Sequence, residues 1–358
     1  MPTLYGRRYS VEELRRRVGR MSQLAGIRAS TLNDGMAQGV RVLDFHTGSG
    51  LRFSVLPDRG MDLGAAEWRG VPLVWHSPTG PIHPAYYEQE GLGWLRGFYG
   101  GLMVTCGFMN VAVASEDEGF FYGMHGRASY IPAGNVSYEA QWEGDRYVLR
   151  ARGQVRETRV FGENVLLTRT VETELGSNTI TIEDTVENQG FESTPYMILY
   201  HINAGFPVLD EESELLLNSE VTPRDEEAAK GLDVAKRGAA PTPGFQEQVH
   251  QHDVTPGADG YATAALVNRS FRDGGIGLMV RYRPQELPYF WQWRMVGEAT
   301  YVMGLEPANC HVMGRGEERR QGRLPFLEAG ETCTQRIQLG VLTSSQEIDE
   351  VEQTIKGG

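Results

Sequence analysis

Residues 166–189 read LLTRTVETELGSNTITIEDTVENQ and contain two runs of alternating apolar and polar side chains around a Gly-Ser-Asn sequence at 176–178. Successive side chains of a strand point to opposite faces, so the two runs predict two antiparallel strands joined by a tight turn. In the second run Ile180, Ile182 and Val186 alternate with threonine and glutamate. That alternation is typical of a strand with one buried and one solvated face.

Similar short segments continue along the chain, and few windows between them have helical periodicity. They include RVLDFHTGSGLRFSVLP (41–57), TPYMILYHI (194–202), GIGLMVRY (275–282), YFWQWRM (289–295) and CTQRIQLGVL (333–342). Many short strands without intervening helices predict an all-β fold, namely a large antiparallel β-sandwich.

The amino-terminal region is the exception to this pattern. Ser10 followed by Glu13 is the pattern of a capping box, apolar residues then recur at helical spacing, and Gly26 is a stop signal. We therefore predict a short amino-terminal helix. The predicted organisation is an N-terminal helical arm at 1–39, a sandwich domain at 40–345 and a C-terminal tail at 346–358.

Composition narrows the classes of function. The 358 residues include 34 Lys and Arg against 47 Asp and Glu, which gives a formal charge of −13. Phosphate binding needs a basic face, so this balance argues against a nucleic-acid or membrane partner. No apolar stretch approaches the roughly eighteen residues of a membrane helix. The amino terminus lacks a secretory pattern, and the three cysteines form no CxxC pair, so we expect a cytoplasmic protein with reduced thiols.

Four polar residues stand in apolar or glycine-rich surroundings near predicted strand ends. They are Arg59 in LPDRGMDL, His125 in YGMHGRAS, His201 in MILYHINAGFP and Glu306 in YVMGLEPAN. Burying a charged or imidazole group in such a context is costly unless the group is paired or used. A structural hydrogen bond explains any one of them, whereas four together indicate a functional site.

Six motifs in this order resemble the aldose 1-epimerase (galactose mutarotase-like) superfamily, in particular its bacterial branch. They are RGMD, GGLMVTCG, MHGR, YHINAGFP, QWR and GLEPANC, and the resemblance covers residues 40–342. The resemblance implies one large supersandwich domain that holds a sugar in a cleft on a concave sheet, with no cofactor. It also implies that Arg59 and His125 orient the sugar, His201 protonates the ring oxygen, and Glu306 takes the proton of the anomeric hydroxyl.

The residue types suit that chemistry. Opening a hemiacetal ring removes a proton from the C1 hydroxyl while another proton arrives on the ring oxygen. With ordinary pKa values of about 4.3 for Glu and about 6.5 for His, Glu306 is expected to be ionised and His201 able to carry a proton. We therefore expect His201 and Glu306 to be catalytic.

Several further residues are candidates for contacts with sugar hydroxyls, because a sugar site must match many donors and acceptors. They are Arg127, Asn203, Gln292 and Asn309, together with the HxH pair His250 and His252. Two histidines on one strand can also supply two ligands of a metal site. Such a site needs further ligands, so we assign no metal. The aromatic candidates for stacking on a sugar face are Trp75, Trp94, Phe98, Tyr99, Tyr122, Trp291 and Trp293.

The sequence leaves the reaction open. Where typical mutarotases carry a run ending in Tyr-Phe-Asn-Leu after the second His, this chain has residues 202–207, INAGFP. The leading hypothesis is an aldose 1-epimerase-like isomerase acting on a small-molecule carbohydrate. The alternatives are a sugar lyase or isomerase that uses the same cleft, with or without a metal on the HxH pair, and a non-catalytic carbohydrate-binding protein. A sheet edge or the amino-terminal helix could mediate a homodimer.

Overall fold

The computed structural model describes residues 1–357 and contains four α-helices and twenty-five strands in that part of the chain. The helices are α1 (Val11–Arg15), α2 (Glu226–Ala229), α3 (Arg315–Arg320) and α4 (Ser345–Lys356). The strands are β1 (Thr3–Leu4), β2 (Arg7–Arg8), β3 (Gly26–Thr31), β4 (Arg41–His46), β5 (Leu51–Leu56), β6 (Asp62–Trp68), β7 (Val71–Pro72), β8 (Val104–Phe108), β9 (Ser115–Asp117), β10 (Phe120–Tyr122), β11 (Gly134–Glu143), β12 (Arg146–Thr158), β13 (Asn164–Glu174), β14 (Thr179–Asn188), β15 (Thr194–Pro195), β16 (Met197–Gly205), β17 (Glu214–Leu216), β18 (Ser219–Pro223), β19 (Gln248–Val254), β20 (Ala262–Asn268), β21 (Ile276–Tyr282), β22 (Tyr289–Val296), β23 (Tyr301–Ala308), β24 (Phe326–Leu327) and β25 (Thr332–Leu342). Short 3₁₀ turns occupy Met21–Gln23, Gly35–Ala37, Pro84–Tyr86, Gly93–Gly97, Ala128–Tyr130 and Leu232–Val234.

Three antiparallel sheets form the body of the protein. The eight-stranded sheet has the order β11-β12-β13-β14-β25-β21-β20-β17, the six-stranded sheet has the order β18-β19-β22-β23-β16-β8, and the five-stranded sheet runs from β3 to β7. One large hydrophobic core collects buried side chains from all three sheets. The predicted all-β sandwich is confirmed, and the quoted stretch forms the hairpin β13–β14 in which Thr170 pairs with Glu183.

Strand β16 is buried on both faces, and this burial positions the site. Tyr200 and Ile202 belong to the main core, whereas Met197 and Leu199 pack in a second hydrophobic cluster with Trp94. Side chains alternate along a strand, so His201 shares the face of Met197 and Leu199. This face lies beneath the long segment of residues 77–101.

Two terminal segments differ from the prediction. The capping box forms, since Glu13 N donates to Ser10 Oγ at 3.1 Å, but α1 has only five residues. Glycine is a poor helix former, and Gly19 interrupts the predicted run. Residues from Gly26 instead form β3, which pairs with β4 in the five-stranded sheet. The amino-terminal arm is therefore only partly helical.

The predicted carboxyl-terminal tail is the helix α4. Ser344 caps it by accepting a hydrogen bond from Glu347 N at 3.2 Å, and Ile348 is completely buried with side chains of β20 and β25. This amphipathic packing fixes the helix on the sandwich. The predicted domain limits at residues 39 and 345 stay a prediction. Within residues 1–357, no helix has the length and apolar character needed to cross a membrane.

Candidate active site

The two predicted catalytic residues meet on adjacent strands of the six-stranded sheet. Ile202 of β16 pairs with Leu305 of β23, and the same register places His201 opposite Glu306. Nε2 of His201 lies 3.2 Å from Oε1 of Glu306. The contact is not aligned as a hydrogen bond, and neither that oxygen nor Nδ1 of His201 has a hydrogen-bond partner among residues 1–357. Both groups therefore keep hydrogen-bonding capacity for a ligand.

A cleft of about 340 Å³ opens above this pair. The His201 ring is 5.1 Å from Phe98 and 5.4 Å from Trp293, both in edge-on contact. Polar groups at the base and aromatic walls are typical of a small-molecule site. The cleft is lined by Leu92, Trp94, Leu95, Phe98, Ala112, Val113, Met124, His125, His201, Arg224, Glu247, Val249, Trp293, Glu306 and Val312.

His125 faces the pair from a loop. Its ring lies 6.0 Å from the His201 ring and 4.6 Å from Trp94. Its Nδ1 accepts a hydrogen bond from Ala112 N at 3.3 Å. That bond fixes the ring tautomer with the proton on Nε2, so His125 can present a donor to a ligand.

Burial changes the protonation expected from ordinary pKa values. Burial raises the pKa of Glu306 well above its usual range, the charge of Glu247 raises it further, and Arg224 opposes them. Burial lowers the pKa of His201 to about 4, and the Asn203 side chain acts in the opposite direction. Burial likewise lowers the pKa of His125 to about 3. These directions oppose the expectation of an ionised Glu306 beside a His201 that carries a proton, because burial favours a protonated Glu306 and a neutral His201.

Arg59 does not reach the cleft, which corrects its predicted role in sugar binding. It is completely buried, and its guanidinium donates to the carbonyls of Ser129 at 2.7 Å, Ile82 at 3.1 Å and Gly97 at 3.0 Å. The same group lies 4.2 Å from the ring centroid of Tyr130. Arg59 thus shapes the site from behind by anchoring the segment that carries Trp94 and Phe98.

Three other predicted contacts also lie outside the cleft lining. Asn203 is buried and donates to the carbonyls of Gly101 at 3.1 Å and His201 at 2.9 Å. Asn309 accepts from Ile198 N at 2.8 Å and so braces β16. Arg127 is exposed, with its guanidinium 6.0 Å from the Tyr87 ring. These side chains support the strands and loops around the site without lining it.

The HxH pair and Gln292 lie on the face of the sheet opposite the cleft, which corrects their predicted contact with a sugar. His250 pairs with Gln292 across β19 and β22, whereas Val249 and Trp293 on the other face line the cleft. Because side chains alternate along a strand, residues on one of these faces cannot reach the other. Gln292 and His250 contact the strap, which we define as residues 225–239.

The strap is fixed to the back of the sheet by these polar side chains. His250 Nε2 lies 3.1 Å from Ala228 O, and Gln292 donates to Ala235 O at 2.7 Å. His252 is bonded to Gln292 Oε1 at 3.0 Å and to Ser219 Oγ at 2.9 Å. Nothing in residues 1–357 forms a group of three His, Cys, Asp or Glu side chains that could hold a metal. The hydrogen bonds of His250 and His252 connect β19 to the strap, to β18 and to β22 on the face away from the cleft.

Two charged residues at the cleft were not predicted from the sequence. Glu247 accepts a hydrogen bond from Trp293 Nε1 at 2.8 Å, and Arg224 Nη2 lies 3.3 Å from the same carboxylate. Alternation along QEQVHQH places Glu247 opposite the histidine face. That signal was available, but it does not tell which face lines the cleft.

Gly304 makes room for the carboxyl group of Glu306, and its replacement gives a first prediction. A Cβ at this position would overlap Oε1 of Glu306 and lie 2.9 Å from Cβ of Trp293. We expect Gly304→Ala to displace Glu306 and to lower any turnover about 100-fold. The overpacking should cost about 1–3 kcal/mol of unfolding free energy.

Activity and thermal unfolding of Gly304→Ala should be measured beside Gly274→Ala. At the control glycine an added Cβ would meet its neighbours only at ordinary van der Waals distance. Undiminished turnover by Gly304→Ala would show that the position of Glu306 is not critical.

Comparison with known proteins agrees with this architecture. The model of a family described as a domain of unknown function, DUF4432, matches residues 37–341. A solved structure of a candidate aldose 1-epimerase from Klebsiella pneumoniae has 29% identity and a TM-score of 0.88, over 93% of this chain and 88% of that one. No curated protein matches the chain.

Two further solved structures share the fold at 12% identity. A galactose mutarotase-like protein from Clostridium acetobutylicum has a TM-score of 0.59 over 90% of this chain and 99% of its own. The galactose 1-epimerase of Lactobacillus acidophilus has a TM-score of 0.57 over 89% and 99%. The resemblance to the aldose 1-epimerase superfamily is confirmed at the level of the fold.

Proposed function

The chain belongs to the DUF4432 family, and we propose that it interconverts the anomers of a free sugar or sugar derivative, as an isomerase of the aldose 1-epimerase type. One observation carries the proposal. His201 Nε2 and Glu306 Oε1 lie 3.2 Å apart at the base of an aromatic cleft. A carboxyl group and an imidazole that lie side by side and face the same cavity can act as the acid and the base of ring opening. The names of the structural neighbours support the same class.

The reaction needs one proton donor and one proton acceptor. As the C1–O5 bond breaks, the acceptor takes the proton of the C1 hydroxyl and the donor gives a proton to O5, which leaves an open-chain aldehyde. Rotation about C1–C2 presents the other carbonyl face, and the C5 hydroxyl then attacks it with the proton transfers reversed. The His201–Glu306 pair gains and loses one proton in each cycle, so it needs no net proton from solvent.

The placement of that proton suggests how the roles are divided. With Glu306 protonated and His201 neutral, Glu306 donates to one sugar oxygen while His201 accepts from the other. The reverse placement is the one that the family resemblance implies. The pair carries one proton in either case, on Glu306 or on His201. Ring opening moves this proton from one residue to the other by way of the sugar, and ring closure moves it back.

The second prediction concerns pH. Activity requires a singly protonated pair, which titrates as a coupled unit. His201 remains neutral until the pH falls to about 4, so an acid limb is expected near that value. Burial raises the pKa of Glu306, so the alkaline limb should lie well above the usual carboxyl range. The check is the exchange rate between anomers as a function of pH, after subtraction of the spontaneous rate. Loss of activity as the pH rises through the ordinary carboxyl range, near about 4.3, would contradict a raised pKa of Glu306.

The function is tested by magnetisation transfer between the two anomeric protons of each sugar in a panel of aldoses and aldose derivatives. The proposal predicts protein-catalysed exchange for at least one of them. Binding without exchange would favour a carbohydrate-binding protein. A new product that absorbs in the ultraviolet would favour the lyase alternative. Either result would overturn the proposal.

A further inference from the structure

Glu247 connects three groups at the rim of the cleft. One carboxylate oxygen accepts the hydrogen bond from Trp293 Nε1 at 2.8 Å, and the other lies 3.3 Å from Arg224 Nη2. The Trp293 ring is in edge-on contact with His201, with 5.4 Å between ring centroids. Glu247 therefore interacts with the catalytic pair through one intervening residue, Trp293, whose indole forms a wall of the cleft.

Arg224 also forms hydrogen bonds with groups other than Glu247. Its Nε donates to Asp225 Oδ2 at 2.8 Å, and its backbone N donates to Val249 O at 2.9 Å. Asp225 in turn caps α2 by accepting a hydrogen bond from Ala228 N at 2.9 Å. One guanidinium is thus shared by two carboxylates. The charge of Glu247 is only partly compensated on the side that faces the cleft.

Few polar groups lie between the carboxylate of Glu247 and that of Glu306. Trp293 pairs with Gly304, which has no side chain, and Glu306 follows two residues later on the same face. The titratable and charged groups that line the cleft with Glu306 or interact with its charge are His201, His125, Cys106, Arg224 and Glu247. His201 and Cys106 are buried and His125 is half-buried. Burial lowers the pKa of both histidines and raises that of Cys106, which favours the uncharged form of each. Glu247 is the anion that remains.

We propose that Glu247 is a positioning residue: its hydrogen bond with Trp293 Nε1 holds the indole wall against His201, and its negative charge in the same cleft favours the protonated form of Glu306. The inference rests on the proposed function for its effect on turnover, but not for its effect on protonation. An anion near a carboxyl group disfavours a second negative charge, whereas Arg224 on the same carboxylate moderates that effect.

Three variants separate the two parts of this role. Glu247→Gln keeps an oxygen that can accept the hydrogen bond from Trp293 but removes the charge. Glu247 is half exposed, with 52% of its side chain accessible, so water screens the effect. The alkaline limb of the exchange rate should move down by roughly half a pH unit. Arg224→Gln should move it up. Glu247→Ala should also lower the maximal rate, because the indole loses its partner.

An infrared titration measures protonation without any turnover. The carbonyl stretch of protonated Glu306 is the band that disappears in Glu306→Gln. In the wild-type protein this band should persist above the ordinary carboxyl pKa, and in Glu247→Gln it should vanish at a lower pH. Glu298→Gln, an exposed acidic residue near the end of β22, is the matched control and should leave the titration unchanged.

The outcomes distinguish this inference from the proposed function. A shift of the Glu306 band in Glu247→Gln supports the inference even where no sugar in the panel is turned over. An unchanged band and an unchanged alkaline limb in Glu247→Gln would overturn it while leaving the proposed function standing. A shift of equal size in Glu298→Gln would also overturn it, because the effect would then reflect net charge alone.

Discussion

Replacing Glu306 by glutamine is expected to lower the rate of anomer exchange by about 10²–10⁴-fold, the usual contribution of a general acid or base. Glutamine keeps the shape of the side chain but cannot donate and accept a proton. The side chain loses no structural bond through Oε1, because this atom has no hydrogen-bond partner within residues 1–357. His201→Asn should have an effect of similar size, since it removes the other member of the pair.

Both variants should unfold at nearly the wild-type temperature, and their sugar affinity, measured by calorimetry, should remain within a few-fold. Glu298→Gln serves as the control for the loss of one carboxylate at an exposed position. Wild-type exchange rates in Glu306→Gln would remove this residue from the chemistry and with it the proposed mechanism.

Replacing Arg169 by methionine is expected to lower the unfolding free energy by about 3–5 kcal/mol, because it leaves buried carboxylates without their cation. Arg169 of β13 is completely buried. It donates to both oxygens of Asp184 at 2.8 and 2.6 Å and to Thr105 Oγ1 at 2.7 Å, and it lies 3.3 Å from Asp62. The pKa of Asp62 is already raised to about 6 by burial despite this partner.

This network connects all three sheets directly beneath the site. Tyr200, which precedes His201, donates from its hydroxyl to Asp184 at 2.7 Å. Urea unfolding of Arg169→Met and of Arg152→Met, an exposed arginine on the neighbouring strand β12, gives the comparison. The exposed variant should change stability by no more than about 0.5 kcal/mol. Equal stability of the two variants would show that the buried network contributes specificity of packing rather than free energy.

Much of the fold follows from patterns that are local in the sequence. Alternation at 166–189 predicts the hairpin β13–β14 because each residue's face depends only on its neighbours. The same rule places Trp293 and Gln292 on opposite faces of β22. It does not identify the face that lines the cleft, because that depends on what packs against the sheet from elsewhere. Alternation puts His250 and His252 on one face of β19, but it does not show that this face points away from the cleft.

The site was predictable in part. The motif order predicted that His201 and Glu306 belong together, and the structure places them side by side, while their catalytic roles stay a prediction. Arg59 could not be placed from its motif, since its three carbonyl partners come from residues 82, 97 and 129. Protonation was not predictable either, because ordinary pKa values take no account of burial by segments distant in sequence.

The most direct test of the account is a crystal structure with a sugar that the protein is shown to bind. If the pair opens the sugar ring, the anomeric hydroxyl and the ring oxygen each lie within hydrogen-bond distance of one member of the His201–Glu306 pair, with Trp293 against the sugar. A sugar bound with its anomeric carbon beyond the reach of both side chains would contradict it.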